Sequence, residues 1–122
     1  MSITPATQAL KARQGSTYRD HIVVWIGTPK ELFDFSDCSA RMQVRDKDTD
    51  ALLATLSSVI EETADGTITL GGALGTIDLF VDEAVTELWT PATYKYDLEI
   101  DTGDDVFAIF EGPFKVYRQW TR

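Results

Sequence analysis

The chain has 122 residues, which makes a single domain, 1–122, with enough length to bury its own core, since independent folding becomes hard only below roughly 40 residues. An apolar content of 43% with 25% charged residues speaks against a disordered chain. Acidic residues number 20 against 11 basic ones, for a net charge of −9 with no basic cluster, and this speaks against DNA, RNA or an anionic membrane as a partner, because each needs Lys and Arg to neutralise phosphates.

The opening M-S-I-T-P-A-T-Q lacks the apolar stretch of a signal peptide, and no run reaches the roughly 20 apolar residues of a membrane span. Residues 1–8 read as a flexible arm. Ala9 to Arg13 alternates weakly, like a short edge strand. Tyr18 to Gly27 holds H-I-V-V-W-I, a continuous run rich in β-branched residues, which predicts a strand buried on both faces with Trp25 in the core. Thr28 to Ser39 reads as a loop pinned by Leu32, Phe33 and Phe35. Ala40 to Arg45 alternates again, with Met42 and Val44 inward, and D-K-D-T-D closes it as a loop.

Leu52 to Glu62 admits a helix by composition, but strand–bend–strand suits the surrounding meander better. Asp65-Gly66 is a hairpin-turn signal. Thr67 to Leu70 follows as a strand with Ile68 and Leu70 inward, ended by Gly71-Gly72. Gly75 to Asp82 places Ile77, Leu79 and Val81 on one face. Residues 83–88, E-A-V-T-E-L, lose the alternation and predict one short helical turn, stopped by Pro91.

From Thr93 the alternation is strict. Tyr94, Tyr96, Leu98 and Ile100 share one face, and Lys95, Asp97, Glu99 and Asp101 the other. A T-G-D-D turn, the strand V-F-A-I-F, an E-G-P break and a last strand from Phe114 complete a meander. About eight or nine short strands with turn signals every 8–12 residues predict an all-β antiparallel sandwich; a closed barrel gives the same alternation.

No catalytic constellation stands out. Asp46, Asp48 and Asp50 alternate in a loop, as calcium ligands do, but counting from Asp46 the sixth and twelfth places hold Ala51 and Ser57, where an EF-hand loop needs Gly and Glu. They are the candidate metal residues, but without that Gly and Glu a solvated acidic loop flanked by Arg41 and Arg45 is the better reading. Asp101, Asp104 and Asp105 surround Gly103 as turn geometry requires. His21 is the one histidine and Cys38 the one cysteine. Zinc needs about four such ligands, acid–base chemistry needs a partnered His, and a lone Cys forms no internal disulfide, which fits a reducing compartment. Paired acids at Glu61-Glu62, Asp82-Glu83 and Glu99/Asp101 are what outward strand faces of an acidic β domain carry. No cofactor and no enzymatic activity are expected. Phe80, Phe107 and Trp120 are the candidate interface residues: the two phenylalanines sit opposite in phase to their apolar neighbours, and Trp120 stands near the C-terminus beside Arg118.

Several stretches recur in a recognisable order. They are Q-G-S-T-Y from Gln14, H-I-V-V-W-I from His21, and D-F-S-D-C-S-A-R-M-Q-V-R from Asp34. Then come D-G-T-I-T-L from Asp65, G-T-I-D-L-F-V from Gly75, Y-D-L-E-I from Tyr96, E-G-P-F-K-V from Glu111 and the closing Thr121-Arg122. In this order they resemble a family of small tail-associated proteins of tailed bacteriophages and prophages. They are also similar to the N-terminal virion-docking domains of phage baseplate proteins. Phe35-Ser36-Asp37 departs from the Leu-Ser-Gly of those domains, so a direct receptor-binding role is not carried over. The resemblance implies an Ig-like sandwich that serves as a non-enzymatic structural adaptor in a tail, baseplate or fibre attachment. It implies other virion proteins and further copies of the chain as partners, synthesis in the host cytoplasm, and residence in the virion. A carbohydrate- or surface-binding module on the same sandwich is the alternative.

Overall fold

The computed structural model describes residues 5–120. Within them the backbone forms eleven strands: β1 (Ala6–Thr7), β2 (Leu10–Arg13), β3 (Tyr18–Val23), β4 (Trp25–Ile26), β5 (Glu31–Leu32), β6 (Ser39–Asp46), β7 (Leu52–Ser57), β8 (Gly66–Leu70), β9 (Thr76–Val81), β10 (Ala92–Asp101) and β11 (Val106–Tyr117). A 3₁₀ turn covers Gly72–Leu74. The expected helical turn is α1, Glu83–Thr86.

One hydrogen-bonded path runs β1-β11-β10-β6-β7-β8-β9-β3, with β2 also on β11, and β4-β5 form a separate hairpin. The path curls so that β3 packs over β11: the Tyr18 and Phe114 rings meet edge-on at 5.4 Å. Among the described residues, β3 shares no ladder with β1 or β2, so the architecture is a sandwich with an open seam and not a closed barrel. In class this is the expected all-β sandwich. Its pairing, however, is mixed: β1 and β2 lie parallel to β11, and β7 lies parallel to β8.

The alternating strands behave as their patterns predict. Tyr94, Tyr96, Leu98 and Ile100 of β10 are buried, as are Met42 and Val44 of β6 and Ile77, Leu79 and Val81 of β9. Each such side chain removed from water contributes about 1.5–3 kcal/mol. The irregular segments differ from expectation, each for a local reason.

H-I-V-V-W-I is not a doubly buried strand. β3 is an edge, and its outer face carries His21 and Val23, both exposed. The chain then breaks, with Val24 buried and Trp25 56% exposed. Trp25 therefore leaves the core assigned to it.

Asp65-Gly66 is no hairpin turn. Asp65 Oδ2 accepts the Thr55 N–H at 2.8 Å and Gly66 starts β8 in parallel register with Leu56. The glycine is there for space: a Cβ would collide with the Phe80 carbonyl and the side chains of Val81 and Leu56. Leu52–Glu62 gives a single strand, β7, and then a loop in which Val59 and Ile60 are exposed.

E-G-P does not break the last strand. β11 runs through Gly112 and Pro113 because its outer neighbour changes there, from β1 (opposite Phe110 and Glu111) to β2 (opposite Phe114 onward). Proline lacks the N–H that a continuous neighbour would need. Of the expected arm, residues 1–4 lie outside the described residues, as does Thr121-Arg122. Ala6 and Thr7 are not free but paired with β11, and the Tyr96 hydroxyl donates to the Gln8 carbonyl at 2.6 Å.

Candidate functional site

The acidic loop uses its own carboxylates. Asp46 Oδ1 accepts the N–H groups of Asp48 and Thr49 at 2.8 and 2.9 Å, and these bonds hold its carboxyl below the usual range. Asp50 has a left-handed φ of 61°, pairs with Lys95 across the strand end, and is likewise lowered by that ammonium. The Asp46 and Asp50 carboxylates are thus turned to separate partners. Among the described residues no group of three or more His, Cys, Asp or Glu is placed to hold a metal ion.

His21 has a partner that sequence separation concealed. Its Nδ1 lies 2.6 Å from Asp78 Oδ1, because β3 and β9 pair these residues directly. They sit in an open cleft of about 610 Å³ with Arg19, Thr67, Thr69 and Phe80. The chemistry available there is limited by the order of side chains. Thr69 pairs with Asp78, and Asp78 with His21, so the carboxylate stands between hydroxyl and imidazole. Two strand spacings, about 10 Å, separate the nucleophile from its base, whereas a triad needs the imidazole in the middle.

The three candidate interface residues do not form one patch. Phe80 lies on the outer face of β9, half-buried under the Arg19 guanidinium, 4.7 Å from its ring centre. Phe107 faces inward and packs edge-on against Phe33 at 6.2 Å. A bulge in the β10–β11 ladder, where Leu98 pairs with Phe110 but Glu99 with Ala108, shifts the phase and turns Phe107 toward the core. Trp120 is 77% exposed, with Arg118 5.2 Å from its ring centre.

An apolar groove that the sequence does not announce lies at the β4–β5 hairpin. β3 stops where the Val24 N–H donates to the Gly75 carbonyl at 2.7 Å, and the Phe33 N–H returns to the Val24 carbonyl at 2.9 Å. Gly27, at φ 86°, and the cis Thr28-Pro29 bond lie in the turn of the β4–β5 hairpin, which pairs Trp25 with Leu32. Phe33 and Phe35 anchor the hairpin, their rings 4.6 Å apart and both buried. Trp25 is thereby raised over a groove of about 410 Å³ lined by Val23, Ile26, Phe33, Ile109 and Phe110, with Lys30 at the rim. The one available signal was Gly27 directly after W-I, which marks a turn where a buried strand would continue.

No family model matches the chain, and no curated protein matches it. Among solved structures, the crystal structure of Dpr1 IG1 bound to DIP-eta IG1 aligns over 93% of this chain and 90% of that one, at 13% identity and a TM-score of 0.46. The crystal structure of red sea bream transglutaminase aligns over 93% of this chain at 14% identity and a TM-score of 0.55, and this chain spans 16% of that protein's length. At that identity the likeness to the transglutaminase concerns the fold alone.

Proposed function

We propose that this chain is a non-enzymatic structural component of a tailed-phage or prophage particle, an adaptor in the tail, baseplate or fibre attachment that works by protein–protein assembly. Its partners are other virion proteins and further copies of itself, and it needs no cofactor. The ordered sequence motifs support the class of particle. The observation that carries an assembly role is the groove beneath Trp25. A large indole 56% exposed, inside an apolar patch braced by a buried aromatic pair, is the kind of anchor that protein interfaces bury. The order Thr69–Asp78–His21 supports a role without catalysis.

Peptide mass spectrometry on purified particles tests the reading. Stoichiometric amounts of the chain are expected, and intact particles recovered without it would end the proposal. The same exposed indole favours the second reading, a carbohydrate- or surface-binding module, since tryptophan presents a broad apolar face with a polar N–H. Saturable glycan binding that Trp25→Ser abolishes would favour that module over the particle component.

A further inference from the structure

Cations that the sequence scatters are gathered by the fold. Lys11 and Arg13 lie on β2, and Lys115 and Tyr117 lie on β11; the parallel register sets Lys11 beside Lys115 and Arg13 beside Tyr117. The Lys115 ammonium is 4.9 Å from the Tyr117 ring centre and the Arg13 guanidinium 6.0 Å. Arg118 stacks on Trp120. The segment carrying both is tied down: Arg13 donates to the Arg118 carbonyl at 3.2 Å, and the Gln119 N–H donates to Gln14 Oε1 at 3.3 Å. The corner where β2 meets β11 is therefore basic and aromatic in a molecule whose net charge is −9, while Asp46 and Asp50 lie at the same strand ends, toward β6.

The far end of β11, where β10 turns into it, is acidic and apolar. β10 finishes at Glu99 and Asp101, and the turn into β11 carries Asp104 and Asp105. Beside them runs a groove of about 190 Å³ that includes Val59, Val106, Glu61, Glu99 and Asp101, with one cation, Arg41, which lies 3.9 Å from Glu61. Both valines are exposed, at 54% and 61%. The charge there is felt locally: burial first, and then Asp34, Asp37 and Asp101, raise the pKa of the Cys38 thiol. Along β10 the two ends are about 25–30 Å apart.

We propose that copies of this chain associate head to tail, the cationic and aromatic corner (Lys115, Arg118, Trp120) of one docking on the acidic and apolar end (Val59, Glu99, Asp101, Val106) of the next. The β2–β11 corner and the groove are opposite in prevailing charge, and each exposes apolar surface for the contact to bury. The two patches differ, so the contact is heterologous and propagates into a ring or a stack. It stands independently of the particle assignment, because it needs only the isolated chain.

Sedimentation velocity against concentration and salt is the test. Near 0.1 M salt the Debye length is about 10 Å, so the net −9 charges of neighbouring copies are screened while the touching ends are not. Mass is expected to rise beyond a dimer there and to fall toward monomer near about 1 M, where the screening length is about 3 Å. K115E/R118E and E99K/D101K should each abolish association, and their equimolar mixture should restore it, which also shows that both variants are folded. A wild-type chain that stays monomeric, stops at a dimer, or associates equally after either charge reversal overturns the proposal.

Discussion

At the scale of single residues, Phe114 organises the interior. It is fully buried and takes Tyr18, Trp89 and Tyr96 edge-on at 5.4, 5.9 and 6.4 Å. Phe114→Ala should therefore cost about 3–5 kcal/mol, read as a lowered midpoint in urea denaturation. The buried phenols add a pH dependence. Tyr18, Tyr96 and Tyr94 are all raised in pKa, chiefly by burial, with the neighbouring carboxylate of Asp20 acting on the first two and that of Asp46 on Tyr94. Folded values above the unfolded phenol value of about 10 mean that the unfolded chain releases these protons first. The stabilisation is complete below that pH and declines as pH rises through and beyond it. Alkaline unfolding should accompany phenolate absorbance in one cooperative step, and Tyr18→Phe should shallow the fall in stability. Ionisation of Tyr18, Tyr94 or Tyr96 in the still-folded protein at the ordinary phenol pH would contradict this.

At the scale of elements, the joint between β1, β2 and β11 leaves no room for a side chain at Gly112. Gly112 has φ 151°, and a Cβ there would lie 2.8 Å from the Gln8 carbonyl oxygen. Gly112→Ala should push β1 away and speed hydrogen exchange at the Gln8 N–H, which bonds the Glu111 carbonyl at 2.9 Å. Removing residues 2–8 should consequently destabilise the fold, since it deletes β1 and the carbonyl that satisfies the Tyr96 hydroxyl. The β4–β5 hairpin divides into anchor and tip. Phe33→Ala should cost about 3–5 kcal/mol, whereas Trp25→Ser should stay within about 0.5 kcal/mol of the parent and reduce incorporation into particles. A Trp25 variant as unstable as the Phe33 variant would return the indole to the core.

At the scale of the whole molecule, the sheet joins distant parts of the chain: β1 and β2 lie on β11, more than a hundred positions away in sequence in every pair. Such non-local pairing predicts folding on the order of milliseconds to seconds, measurable by stopped-flow fluorescence of Trp89. Cutting the chain after Glu111 should abolish folding, because it removes Phe114, Val116 and the only ladder that β2 makes among the described residues.

What the sequence by itself determined is the strand content and the buried face of each regular strand. Side chains alternate with period two whatever the partner, so Tyr94 to Ile100 and Ile77 to Val81 could be assigned from spacing alone. Partners across the sheet were decided only in three dimensions, because sequence periodicity carries no information about which strand lies alongside. That is why His21 met Asp78 unannounced, why Asp65-Gly66 started a parallel strand, and why a bulge opposite Leu98 and Glu99 turned Phe107 inward. The same limit applies to charge. No cluster of Lys and Arg exists along the chain, yet the parallel docking of β2 on β11 brings Lys11, Arg13, Lys115 and Arg118 to one corner, since proximity in a sheet is set by register and not by distance along the backbone.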